Sequence, residues 1–356
     1  SKDVSLMTTK VHLKDHIRLD LKKDINSQFF DYVSKEILKN EKINGDLINT
    51  IYIIPSGTSH LINFSAFSHH LEEKINKKLN IYTINSLTSI TKLKQQQNKK
   101  VENIILLGDI DYDKKTKLNS INNLKQTRGI ELNSSIENSG IPLWSYLPGT
   151  KKEIEEIEHL AYKNNIDVTV LSDKDVTEQN IKKIIIEPNK NNIIHIATHG
   201  YFFPDNIDTN TKNLFANHKN TLLRSGLILS GANNNWNNKK LIDSNNDGIL
   251  TAEEISFIDL RGVELVVLSA CDTGLGNVSK LEGINGLQRA FKLAGANKLI
   301  MSLWKIPDNE TSEFFGYFYN FLLKEKLSVN LSFRKTQKIM KEKYEPYYWA
   351  GFVLLE

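Results

Sequence analysis

Apolar and polar positions along the 356-residue chain fall into three regimes. Residues 1–45 carry apolar residues at helical spacing, as in "SQFFDYVSKEILKN", and predict surface helices. The next stretch predicts strands. Thr50 to Ile54 is an apolar run stopped by Pro55 and Gly57, "NIYTINSLTSI" is a second strand with its turn, and "VENIILLGDID" is a third running to Gly108. Polar Asn-rich segments separate these elements, the longest from Asp111 to Gly140.

From Leu147-Pro148-Gly149 onward, strands alternate with helices. Thr150 and Glu153 have capping-box spacing, followed by the stripe Ile154, Ile157, Leu160 and Ala161. Then come strand "IDVTVLSD", helix "TEQNIKKIII" and strand "NNIIHIATHG". An insertion from Asp205 to Gly248 contains one strand, "SGLILSGA". Strand "ELVVLSACDTG", a helix closed by Gly295, strand "KLIMSLWKI", two helices and strand "WAGFVLL" complete the chain. This alternation predicts an α/β fold with a mostly parallel sheet flanked by helices, whose chemistry lies at the carboxyl ends of the strands. The domain reading is residues 1–146 and residues 147–356.

Composition narrows the function classes. Net charge is +4 with no arginine-rich block, so nucleic acid is not indicated. No apolar run reaches membrane-spanning length and no signal peptide is visible, which points to the cytoplasm. The single cysteine, Cys271, cannot form an internal disulfide, and no Cys/His cluster suggests zinc. The first residue is serine, which fits a piece of a longer chain.

Two predicted strands end in reactive residues, His199-Gly200 and Ala270-Cys271. A thiolate nucleophile needs a neighbouring base and donors for the oxyanion. His199 fits the base, and the N–H groups of Gly200 and Cys271 fit the donors. A buried cysteine is also a common inert packing residue, and His195, inward on the strand of His199, reads as a satisfied core histidine.

Four segments, "IIHIATHG", "LVVLSACDTGLG", "GINGLQRAFKLAGANKLIMSLWKIPD" and "YYWAGFVLL", resemble the CHAT domain, a caspase-like peptidase family related to caspases and separase and often fused to tetratricopeptide repeats. "YIIPSGTSHLINFSAF" and "LPGTKKEI" extend the resemblance from about residue 45 to the C-terminus. It implies a cysteine endopeptidase with base His199 and nucleophile Cys271, acting on a protein substrate. It also implies control by an activating protein or repeat domain, a bacterial defence setting, no required cofactor, and an N-terminal non-catalytic caspase-like half. Ser269 and Asp272 would border the substrate pocket, and Ser302, Leu303 and Trp304 would pair with substrate backbone. Trp304 fits the core equally well, and Asp308 fits a helix cap.

The insertion also contains "DSNNDGILTAEE", an EF-hand pattern that would bind Ca2+ through Asp243, Asn245, Asp247, the Ile249 carbonyl and Glu254, with Gly248 at the turn. In the alternative reading Thr251 caps a short helix and Gly248 makes its turn. A non-catalytic scaffold and a calcium-responsive regulatory module are the rival functions.

Overall fold

The structure is a computed structural model. It describes residues 42–43, 46–47, 50–55, 63–66, 80–84, 86–87, 89–90, 101–113, 143–185, 192–203, 215–216, 218–236, 246–270 and 281–356, those at 42–43, 46–47 and 281–285 by backbone only. Most of the predicted N-terminal helices lie outside these residues. The chain forms two compact units, one of residues 1–53 and 64–82, the other of residues 54–63 and 83–356.

In the smaller unit, β1 (Lys42–Ile43) pairs antiparallel with β2 (Asp46–Leu47), so the end of the predicted helical region is a tight strand pair instead. β3 (Thr50–Ile53) neighbours β4 (Asn80–Thr83), and Tyr52 stacks on Tyr82 with ring centroids 5.3 Å apart.

In the larger unit the strands are, in chain order, β5 (Asn103–Ile110), β6 (Asp167–Asp173), β7 (Asn192–Ala197), β8 (Gly200–Phe202), β9 (Ser225–Ile228), β10 (Ile249–Thr251), β11 (Val263–Ser269), β12 (Lys298–Ser302) and β13 (Phe352–Leu355). Six lie side by side in the order β13-β12-β11-β7-β5-β6. All pairs are parallel except β12 with β13. β5 lies between β6 and β7 in this sheet. The central strands β7 and β11 are buried along their whole length. Burial on both faces explains why they read as continuous apolar runs rather than alternating ones.

The α-helices described from residue 143 onward are α1 (Pro148–Lys163), α2 (Glu178–Ile185), α3 (Ala252–Ser256), α4 (Leu281–Ala294), α5 (Asp308–Tyr319), α6 (Val329–Lys343) and α7 (Pro346–Trp349). α1 and α5 cover one sheet face, where His195 of β7 meets Glu153 of α1 and Tyr319 of α5. On the other face Ile105, Leu107, Ile194, Ile196, Val266 and Leu268 join one core with Tyr201, Leu227, Trp236 and Leu250. Those last residues belong to a small antiparallel sheet, β10-β9-β8, and the turn after β9. The sequence indicated only the middle strand, because β8 and β10 are three residues each.

The start of α1 corrects the predicted capping box. The helix begins at Pro148, and the Thr150 hydroxyl donates to the Leu147 carbonyl while accepting from the Asp109 N–H. Glu153 is spent on His195. Asp308 is the first residue of α5, and its carboxylate accepts from Gly149 N–H at the start of α1 (2.5 Å). It therefore stabilises a neighbouring helix end, where the dipole favours an anion.

Candidate functional site

His199 follows β7 and lies between two aromatic rings. Tyr112 and Trp144 approach its imidazole with centroids at 5.1 and 5.0 Å. The ring is 2% exposed. Its Nε2 lies 2.7 Å from the Ser145 carbonyl oxygen. A carbonyl only accepts, so Nε2 carries the proton of the neutral ring and Nδ1 carries the lone pair. The main chain thereby selects the tautomer with its basic nitrogen at Nδ1.

Neighbouring hydrogen bonds fix this arrangement. The Tyr112 hydroxyl meets Thr198 Oγ1 at 3.1 Å, and Thr198 Oγ1 donates to the Ile228 carbonyl of β9. Tyr146, beside Ser145, donates to Asp109 Oδ1 at 2.5 Å, and Lys151 Nζ is 3.6 Å from Asp109 Oδ2. Partial burial, with Asp109 next to it, pushes the Tyr146 hydroxyl well above the ordinary tyrosine range. Asp109 has φ +52°, unusual for a non-glycine residue, and sits where β5 shifts register against β6.

Cys271 and Asp272 lie outside the described residues, and so do Asp243 and Asn245. The described strand leading to the cysteine is β11. Ser269 is fully buried and in register with Ala197, and its carbonyl accepts from Thr198 N–H at 3.3 Å. Gly200 is buried as the first residue of β8, opposite Leu227. Ser302 Oγ donates to the Ala270 carbonyl at 3.1 Å.

The residues expected to pair with substrate backbone are engaged within the chain. Ser302 is in register with Phe352, and Leu303 N–H donates to the Gly351 carbonyl at 2.7 Å. The Trp304 indole donates to the Tyr347 carbonyl at 2.8 Å.

The described half of the calcium motif forms a turn and a cap. Gly248 has φ +83°, and Thr251 and Glu254 form a reciprocal capping box at the start of α3. Glu254 Oε2 accepts from Thr251 N–H and Oγ1, while Oε1 takes Lys182 Nζ at 3.4 Å. Asp247 Oδ1 accepts from Ile249 N–H. A carboxylate that the motif lacks, Glu178 of α2, accepts from Gly248 N–H at 2.9 Å. Burial, then Glu254, then Asp247 push its carboxyl up to about 8. Among the described residues, which leave out Asp243 and Asn245, no group of three His, Cys, Asp or Glu is arranged to hold a metal ion.

Sequence reasoning missed Ser145, Trp144, Tyr112 and Glu178. Ser145 acts through a main-chain oxygen, which leaves no sequence signature. The available signal was "LWSYLPG", an aromatic segment beside a long polar one.

A mostly parallel sheet flanked by helices, with an imidazole at the carboxyl end of a central strand, matches a caspase-like α/β fold. The CHAT domain family matches residues 23–356, and the chain belongs to that family. Two curated relatives are similar to it. Tetratricopeptide repeat protein 28 of Mus musculus is 35% identical over 111 residues, and that of Homo sapiens is 32% identical over 110. Each match covers 30% of this chain and 4% of the relative. Among solved structures, the Arg-specific cysteine proteinase gingipain R superposes with TM-score 0.50 at 10% identity, over 92% of this chain and 66% of that one. The Saccharomyces cerevisiae separase–securin complex superposes with TM-score 0.46 at 12% identity, over 90% of this chain and 16% of that one. Among the described residues no helix is long and apolar enough to cross a membrane.

Proposed function

We propose that this chain is a cysteine endopeptidase in which His199 is the base for Cys271. The observation that carries the reading is the hydrogen bond from His199 Nε2 to the Ser145 carbonyl, which leaves Nδ1 as the proton acceptor. The strand register adds to it. Ser269 pairs with Ala197, and Cys271 and His199 follow these two residues at the same sequence interval.

In this mechanism Nδ1 takes the thiol proton and Sγ attacks the scissile carbonyl. The N–H groups of Gly200 and Cys271 receive the negative charge. The imidazolium then protonates the leaving amine. The substrate is a protein segment, and control comes from an attached repeat region or a separate partner. That part of the reading rests on the repeat named in the relatives, of which this chain matches a small share.

The test is covalent labelling. Wild type, Cys271→Ala and His199→Ala are incubated with iodoacetamide and with peptidyl chloromethyl ketones, and adducts are read by intact mass. Peptide-dependent labelling of Cys271 that slows in His199→Ala is the expected result. Labelling indifferent to both His199 and peptide would overturn the assignment.

A further inference from the structure

We infer that Asn233 is a positioning residue for His199. The inference rests on His199 being the base of the proposed reaction. Asn233 lies in the short turn Ala232–Asn234 after β9, far in sequence from every residue around the imidazole. Its side-chain amide clamps the main chain of Trp144 at both polar atoms. Oδ1 accepts from Trp144 N–H at 2.8 Å, and Nδ2 donates to the Trp144 carbonyl at 3.0 Å. Nδ2 also donates to Asp113 Oδ1 at 2.8 Å, and its own N–H donates to the Tyr112 carbonyl at 3.0 Å.

Those partners are the two walls of the histidine cage. Tyr112 and Trp144 are the rings against the imidazole, and the next residue, Ser145, supplies the carbonyl that takes Nε2. One asparagine therefore ties together the main chains of both walls. An amide suits this place because it offers an acceptor and two donors on one planar group. Aspartate could accept from Trp144 N–H, but it could not donate to the Trp144 carbonyl and would face Asp113.

The surrounding turn holds Asn233 in register. Gly231 N–H and Ser230 Oγ both donate to the Asp111 carbonyl at 3.1 Å. From the same turn, Trp236 packs edge-on against Trp144 at 4.9 Å. The small antiparallel sheet thus governs the orientation of the imidazole through Asn233, and the base is competent only when that turn is docked. A displacement of about 1 Å at such a group is enough to cost up to about a hundredfold in rate.

The experiment measures two things on wild type, Asn233→Ala, Asn234→Ala and His199→Ala. One is the pH dependence of Cys271 alkylation by iodoacetamide. The other is the nitrogen NMR signature of His199 in 15N-histidine-labelled protein, assigned by its loss in His199→Ala. Asn233→Ala is expected to slow alkylation at neutral pH about tenfold or more and to average the His199 tautomer. Asn234→Ala, whose amide reaches Asp113 and not Trp144, is expected to match wild type in both. A wild-type tautomer and pH profile in Asn233→Ala would overturn the inference, and so would an equal effect of Asn234→Ala. If His199→Ala labels like wild type, the assignment of the base fails instead, and the NMR signature still judges Asn233. If Asn233→Ala does not fold by near-ultraviolet circular dichroism, Asn233→Asp takes its place, with the same expected direction and the same overturning result.

Discussion

Glu153 of α1 and His195 of β7 meet at 2.7 Å, Oε1 to Nε2, with both side chains fully buried. The other ring nitrogen, Nδ1, lies 3.2 Å from the Tyr319 hydroxyl of α5. A carboxylate cannot donate, so Nε2 holds a proton toward Glu153 and, in the neutral ring, Nδ1 accepts from Tyr319. The three residues join the two covering helices to the central strand. This histidine is a structural tie, whereas His199 lies on the loop side of the same segment with its lone pair directed by a backbone carbonyl.

Removing one member of that tie strands the rest. His195→Phe leaves the Glu153 carboxylate buried without its donor and is expected to cost about 3–5 kcal/mol in urea unfolding. The double replacement Glu153→Met with His195→Phe is expected to be less damaging than His195→Phe alone, because no buried charge is left. A double variant whose loss equals the sum of the two single losses would show that the pair is not coupled.

Much of the larger unit was legible because its signals are local. Strand runs such as "IIHIA" and "LVVLS" form β7 and β11, and Gly295 closes α4 with φ +103° as its position suggested. His195 reads as core, and it is. What stayed hidden depends on distant partners. Thr150 and Glu153 have capping-box spacing, but the helix starts at Pro148 and tertiary partners take both side chains. The capping role of Thr251 was legible, but the approach of Lys182 to Glu254 was not. Glu178 carries no hint in "TEQNIKK" that it will be buried under Gly248.

Two glycines separate backbone strain from steric exclusion. Gly248 has φ +83°, and a Cβ there would come within 2.6 Å of Ala232 N and 2.8 Å of the Ser230 carbonyl. Gly262 has φ +97° with nothing within 4 Å of the same position. Gly262→Ala is expected to lose about 1 kcal/mol, the cost of the left-handed conformation alone. Gly248→Ala adds a clash with rigid backbone and is expected to lose at least twice that, by thermal or urea unfolding. Because Ala232 precedes Asn233, Gly248→Ala is also expected to slow labelling of Cys271 while Gly262→Ala does not. Equal losses in the two variants would mean that the turn at residues 230–232 yields to the methyl group.

The carboxyl of Glu178 gives the larger unit a pH dependence of definite sign. Its oxygens face Gly248 N–H at 2.9 Å and, more distantly, Lys182 Nζ at 4.0 Å, while Glu254 also draws on that lysine. Burial and the charges of Glu254 and Asp247 raise its folded value to about 8 from an ordinary 4.5. Between these values the folded chain holds a proton that the unfolded chain releases. This contribution to stability is therefore full below about pH 4.5, falls as pH rises, and is gone above about pH 8. The loss is on the order of a few kcal/mol. Glu178→Gln keeps an oxygen for Gly248 N–H and cannot ionise. Its melting temperature relative to wild type is therefore expected to climb between pH 5 and pH 8 and then level off, read by thermal unfolding at matched ionic strength. A difference that stays flat over that range would place a full charge on Glu178 in the folded state, with Lys182 close enough to neutralise it.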